Sequence, residues 1–380
     1  MFADIINKLA KEFQGQDEEK VSYFARPSLA GPERCIRALT YHAMGEPAKP
    51  YPGRAILTFD DSLWHEELTK DWFRKSIYRI HSEQMPVDIP SPGVNMVSHW
   101  CKVCEKDIRP ERIHGHLDWI TQDPLGKEWV VEHKAINHFG FERLKEKALP
   151  LEYLTQVALY SLGLQLIQPS LVSVLLLIKN KNTSQYLEFE CEYRLTEDTL
   201  FIHKQIASFG DAPAKVTILN QEIPNIVNSS LARFRDIKNF ASERYLPLRP
   251  YSPNTEYPCG YCNWAVPCWA GYVDEINALE TDVALSADLE TTARYYKELG
   301  AQESEIKKER EQLKEILKQA LLNIGARTGK TDNYTVALSA FIRQEIDKNL
   351  VPPEAFKPVP AERFTVTKTK EKKDEKIHSN

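Results

Sequence analysis

The chain has 380 residues, 42% of them apolar and 27% charged, enough to bury a sizeable core and keep the surface solvated. Its net charge of −5 excludes a protein that holds nucleic acid through bulk basicity; a local basic track beside an acidic site remains possible. The opening MFADIINKLAKEFQGQDEEK has no long apolar run or small-residue cleavage signal, and the longest apolar stretch, Leu171 to Ile178, is far too short to span a bilayer. A cytoplasmic protein with no membrane partner is therefore expected, and its seven cysteines read as metal ligands or core fillers rather than disulfides.

Four regions follow in chain order. Residues 1–90 read as mostly helical with Pro-rich loops and include a helix over Asp60–Ile77, whose FDDSLWHEEL start offers an Asp N-cap. Residues 91–275 read as the α/β core. Strands are expected over Asn95–Cys104, Ile113–Thr121 and Glu128–Ala135, with a turn at Asp123-Pro124-Leu125-Gly126. A helix over Leu151–Leu166 follows, then a buried strand over Leu171–Ile178 that pairs with Tyr186–Tyr193 across a polar turn. A helix over Glu197–Phe209 is expected to close this unit, giving an α/β sandwich with a mixed sheet and helices on its faces. Residues 276–367 begin with a long helix from about Ser286 to Ile324. Its apolar residues fall on a 4-3 spacing, like a short coiled coil or helical arm. Tyr334–Ala340 and Arg363–Thr367 read as strands of a small β appendix, and 368–380 as a charged, disordered tail. Gly325 to Thr331 is one residue short of a P-loop and follows a helix, so it is set aside.

The chemistry concentrates at Gly115-His116-Leu117-Asp118 and Val130-Val131-Glu132-His133-Lys134. Side chains alternate faces along a strand, so Glu132 and Lys134 share one face and His133 takes the other; a hairpin would bring Asp118 beside them. Two nearby carboxylates attract a hard divalent cation, Mg²⁺ or Mn²⁺, with the backbone carbonyl of His133 a further ligand. Lys134 would then lie next to the metal-bound water and the scissile phosphate. Alone, an Asp followed by Glu-x-Lys also fits a solvated hairpin face, but here it lies on the apolar strand WVVEHKAI. Gln156 and Tyr160, four apart on the next helix, share a face; the bland alternative is ordinary helix surface. His65, in SLWHEEL, is a lone helix histidine.

The order His65, Asp118, Glu132-x-Lys134, Gln156-x₃-Tyr160 resembles the RecB-like branch of the PD-(D/E)XK nucleases over residues 30 to 275, with Gly-x-x-Asp in place of the Pro of the family name. The resemblance implies a restriction-endonuclease-like core, His65 as a metal ligand, and Gln156 and Tyr160 as phosphate- or water-positioning groups. Cys259, Cys262 and Cys268 form C-x₂-C-x₅-C, and Cys35 is the candidate fourth thiol; such a set suits Zn²⁺ or an iron–sulfur cluster. One distant Cys plus this motif is similar to the iron–sulfur staple of AddB-type nucleases and CRISPR adaptation nucleases. That similarity implies a structural [4Fe–4S] cluster, with Zn²⁺ the alternative.

Cys101 and Cys104 form a further C-x₂-C near His114 and His116, but on a regular strand they would face opposite ways. A tight knuckle would instead bring the four together as a zinc site; ordinary strand cysteines are the expected reading, and Cys191 is expected in the core. Lys179 and Lys181, between two strands, read equally as DNA-backbone contacts or as a solvated turn. The C-terminal arm loosely resembles YqaJ-like phage recombination exonucleases, which implies a single-strand annealing or recombination protein as partner. The expected function is a Mg²⁺- or Mn²⁺-dependent exonuclease acting on DNA ends in recombination or repair. The alternatives are a nuclease trimming CRISPR spacer precursors and a catalytically silent DNA-binding protein.

Overall fold

Continuous apolar runs, as in Ser173–Asn180, and alternating ones, as in Tyr186–Arg194, build a seven-stranded mixed sheet. The computed structural model describes residues 2–16, 23–146, 149–171, 173–209, 213–253, 258–279, 286–331 and 334–339. The chain divides into two compact units, Met1–Ala270 and Gly271–Asn380.

The first unit opens with helices α1 (Phe2–Gln16), α2 (Ile36–Ala43) and α3 (Gly53–Arg74). Strand β1 (Arg79–Pro90) precedes a small hairpin, β2 (His99–Cys101) and β3 (Lys106–Ile108); β4 (Arg112–Gln122) and β5 (Glu128–Ile136) follow. Helices α4 (His138–Glu146) and α5 (Leu151–Gln165) lead to β6 (Ser173–Asn180), β7 (Tyr186–Arg194), β8 (Thr199–Ser208) and β9 (Lys215–Pro224). Helices α6 (Ile226–Ser242) and α7 (Ala265–Trp269) complete the unit. The strand order is β1-β4-β5-β6-β7-β8-β9. Every pairing is antiparallel except β5 with β6, and that parallel step requires the crossover that α4 and α5 supply.

The crossover fixes which face carries the chemistry. Helix α5 is buried along almost its whole length, from Leu154 to Gln165, and Gly163 lies so close to Val87 of β1 that an added Cβ would collide with that side chain. The core on this face includes Val130, Leu176, Ile178 and Phe189. On the opposite face a smaller cluster of Trp119, Val131, Leu175 and Leu177 packs with Phe73 of α3.

Four expectations are corrected. Residues 79–90 are strand, not helical segment. The strand expected over Asn95–Cys104 survives only as β2, with a turn after it. The helix expected over Glu197–Phe209 is strand β8, between β7 and β9. Its Leu200 and Ile202, two apart, reach the core at 0% and 1% exposure, while Phe201 on the other face lies under the Arg194 guanidinium at 3.7 Å. The preceding turn places Asp198 at φ 45°, and its carboxylate accepts from the N–H groups of Val227 and Asn228 at the start of α6. Helix Asp60–Ile77 is longer at its start, with Pro52 rather than an Asp at the N-cap.

In the second unit α8 (Tyr272–Asn277) precedes the long helix α9 (Asp288–Asn323), and β10 (Thr328–Lys330) pairs antiparallel with β11 (Thr335–Ala337). The α9 residues Tyr296, Leu299, Ile306, Leu313 and Leu317 are exposed. The strand expected over Arg363–Thr367 and the tail 368–380 lie outside the described residues. Among the described residues no helix is long and apolar enough to cross a membrane.

Candidate active site and thiol centres

The β4–β5 ladder ends at the pair Trp119–Val131. Just beyond it a side chain replaces the main-chain acceptor: Asp118 Oδ2 accepts from the His133 N–H at 2.7 Å. Glu132 and Lys134, two apart on β5, project from the face that α5 covers. Lys134 Nζ donates to Glu132 Oε1 at 2.6 Å and to Gln156 Oε1 at 3.0 Å. Gln156 also hydrogen-bonds Tyr160, so one chain of contacts runs from Glu132 through Lys134 and Gln156 to Tyr160. Asp118, Glu132, Lys134, Gln156 and Tyr160 therefore come together from two strands and one helix. Gly115 is needed for that closure, because an added Cβ would lie 2.8 Å from Pro27 Cδ and 3.2 Å from Tyr160 Cε1.

The electrostatics are unbalanced. Glu132 is 2% exposed, and its Oε2 has no hydrogen-bond partner. Burial raises the Asp118 carboxyl well above the usual range, and the charges of Glu132 and Glu66 raise it further, against Lys134 and the His133 N–H. Burial raises Glu132 as well, with Lys134 opposing and Glu66 adding to the effect. Burial opposes the charge on Lys134, but the two carboxylates outweigh it and raise its pKa. Tyr160 is raised well above its ordinary value by burial, Glu132 and Asp118. Two buried acids served by one lysine cannot both ionise without leaving net negative charge, a costly state that a cation relieves.

His65, on α3, has its Nδ1 buried and without a hydrogen-bond partner. It lies beside Asp61 at 3.6 Å, and burial lowers its pKa, helped by Lys179 and Lys181. Its neighbour Glu66 is the α3 residue whose charge reaches Asp118 and Glu132, and Lys70 holds it at 3.2 Å. Lys179 is 1% exposed with its ammonium 5.7 Å from the Tyr186 ring centre, and Lys181 pairs with Asp61 at 2.9 Å. Neither lysine is an unpaired surface cation in this structure. Sequence reasoning missed Glu66, although it stands next to the chosen histidine, and Arg26. Arg26 is half-buried beside Tyr160 with its Nε unpartnered.

Cys35, Cys259, Cys262 and Cys268 line one cavity with Tyr41, Trp264 and Trp269. All four are free and half-buried. Burial raises the pKa of Cys35, Cys259 and Cys262. Long-range contacts hold the early and late segments of the first unit around the cavity. Trp264 Nε1 donates to the Glu46 carbonyl at 3.0 Å, and the Tyr251 hydroxyl donates to that of Glu33 at 3.0 Å. The donor set is all thiol, which fits either an iron–sulfur cluster or Zn²⁺.

A second group overturns the expectation of ordinary strand cysteines. Cys101 ends β2 and Cys104 lies in the turn after it, so the alternation that would separate them does not apply. The turn is closed by Glu105 at φ 50°. His114 and His116, two apart on β4, meet the thiols, and the four ligand atoms all lie within 4.8 Å of one another. This group could hold a metal ion. Cys191 is in the core, as expected.

No family model matches the sequence, and no curated protein does. A solved structure described as "Crystal structure of SSO0001" aligns over 71% of this chain and 97% of its own, at 13% identity and a TM-score of 0.33.

Proposed function

We propose that this protein is a divalent-metal-dependent DNA nuclease of the PD-(D/E)XK type, hydrolysing phosphodiester bonds at DNA ends in recombination or repair. The observation that carries the reading is the buried, unpartnered Oε2 of Glu132, beside a second raised carboxyl and a lysine hydrogen-bonded to both Glu132 and Gln156. Asp118 and Glu132 would hold Mg²⁺ or Mn²⁺, with the His133 carbonyl available beside them and Glu66 adding negative field. When bound, such an ion lowers the pKa of water and offsets charge on the phosphate.

The remaining work falls to this chain's own groups. Lys134 presents an ammonium to the developing negative charge and orients the attacking water. Gln156 fixes the Lys134 amine through its carbonyl, which makes it a positioning residue. Tyr160 stays protonated at neutral pH, because burial and two nearby acids oppose its ionisation, so it serves as a hydrogen-bond donor. The thiols of Cys35, Cys259, Cys262 and Cys268 would carry a [4Fe–4S] cluster that clips the segment around α2 to the end of the unit. The overall charge of −5 leaves substrate binding to local phosphate contacts, so activity should fall with salt.

The test is incubation of single- and double-stranded DNA, labelled at either end, with Mg²⁺, Mn²⁺ or chelator. Ion-dependent shortening from an end supports the reading. Intact substrate under every condition, with the ion retained by the protein, rejects it.

A further inference from the structure

The hairpin of β2 and β3 is a two-stranded sheet of three residues per strand, apart from the main sheet. Such a hairpin is marginal in water unless something else secures it. Packing secures it in part: Phe24 stacks on His99 at 5.2 Å, and Phe24, Cys101 and Ile108 form a small buried cluster. The strongest local feature is the meeting of four metal-ligating side chains over that cluster.

We propose that Cys101, Cys104, His114 and His116 hold one Zn²⁺ as a closed structural site that fastens this hairpin to β4. The distances carry the assignment. Cys101 Sγ lies 3.3 Å from His114 Nε2 and 3.6 Å from His116 Nε2, and Cys104 Sγ lies 3.8 Å and 3.1 Å from the same two atoms. Tetrahedral zinc with ordinary Zn–S and Zn–N bonds sets its sulfur and nitrogen ligands about 3.6 Å apart. All four separations scatter around that edge length. A two-iron cluster bound by two cysteines and two histidines would place the thiolates on one iron and the imidazoles on the other, so these atoms could not all share one vertex set of that size.

The surroundings match a metal site. Both imidazoles present Nε2 to the centre. His114 Nδ1 lies 2.7 Å from Asp88 Oδ1, a carboxylate that fixes the ring orientation and tautomer as partners of zinc-bound histidines do. Lys106 in turn holds Asp88 at 3.2 Å. The Cys104 N–H donates to Cys101 Sγ at 3.4 Å, the turn geometry that brings a C-x₂-C pair onto one ion. Cys101 and His114 are each 4% exposed. Four protein ligands leave no open position, so the role is structural. The site also fixes one edge of the candidate active site, because the His114 N–H donates to the Ala25 carbonyl, next to Arg26 and Pro27.

The test uses the full chain, incubated with Zn²⁺ and desalted, with zinc and iron counted per chain. Cys104→Ser and His116→Ala should each lower bound zinc by one equivalent, while Cys262→Ser should leave that equivalent in place. Equal zinc in the wild-type and Cys104→Ser proteins would overturn the proposal. Zinc-edge X-ray absorption on the wild-type chain needs no variant. A shell containing both sulfur and nitrogen supports the site; a sulfur-only shell, or no retained zinc, rejects it. Neither measurement depends on nuclease activity.

Discussion

Successive residues of β5 meet two different environments. Glu132 and Lys134 face α5, where Gln156 satisfies the amine but nothing satisfies Glu132 Oε2. His133 faces α3, where its Nε2 meets the Thr69 hydroxyl at 3.2 Å and its ring lies 6.0 Å from that of Trp119. Burial pushes the His133 pKa down to about 3, helped by Lys179 and Lys134, so it is a neutral packing group. All three side chains are substantially buried and polar. What separates them is unmet valence: His133 finds the Thr69 hydroxyl, while Glu132 Oε2 is left for a further ligand to satisfy. The functional claim rests on that difference.

Neutralising the unsatisfied carboxylate should cost activity most. Glu132→Gln should lower kcat/KM on DNA by about 10²–10³-fold while the folded state persists, as followed by circular dichroism and a cleavage assay. Gln156→Ala should lower kcat by about 10–100-fold with KM little changed, because it lets the Lys134 amine wander. A matched fall in affinity would instead make Gln156 a substrate-binding group.

The same imbalance predicts a stabilising change. Asp118 has a folded pKa above its unfolded value, so the native state binds more protons between the two, and stability falls as pH rises through that window. In metal-free protein Asp118→Asn should therefore raise stability by about 0.5–2 kcal/mol at neutral pH, with the gain shrinking as pH falls toward the ordinary carboxylate range. Denaturant titration at two pH values reads both effects, and a loss of stability at neutral pH would contradict the account. His133→Gln, at the hydrogen-bonded residue between Glu132 and Lys134, should change cleavage by less than about threefold, its cost of about 1 kcal/mol appearing in the unfolding midpoint.

Much of this site was legible because it depends on spacing within single elements. Strand alternation put Glu132 and Lys134 on one face, and helical spacing put Gln156 and Tyr160 together; the structure joins them through Lys134. What depends on packing between elements was not legible. The rotation of α3 is set by Phe73 against Trp119, with ring centres 5.6 Å apart, and by Thr69 against His133. That rotation directs the field of Glu66 at the carboxylates. Strand β8 was read as a helix because LFIHKQIASF also carries apolar residues at helical spacing; its two ladder partners decide the outcome. Whether Cys101 and Cys104 share a side depends on a tight knuckle that residue types do not announce; Glu105 at positive φ turns the chain and supplies it.

Wild-type protein and Lys134→Ala, both checked for intact fold, are to be compared on end-labelled DNA in Mg²⁺ and in Mn²⁺. Ion-dependent cleavage is expected of the first and at least about 10²-fold less of the second. Equal cleavage by the two would show that the amine between Glu132 and Gln156 takes no part in hydrolysis.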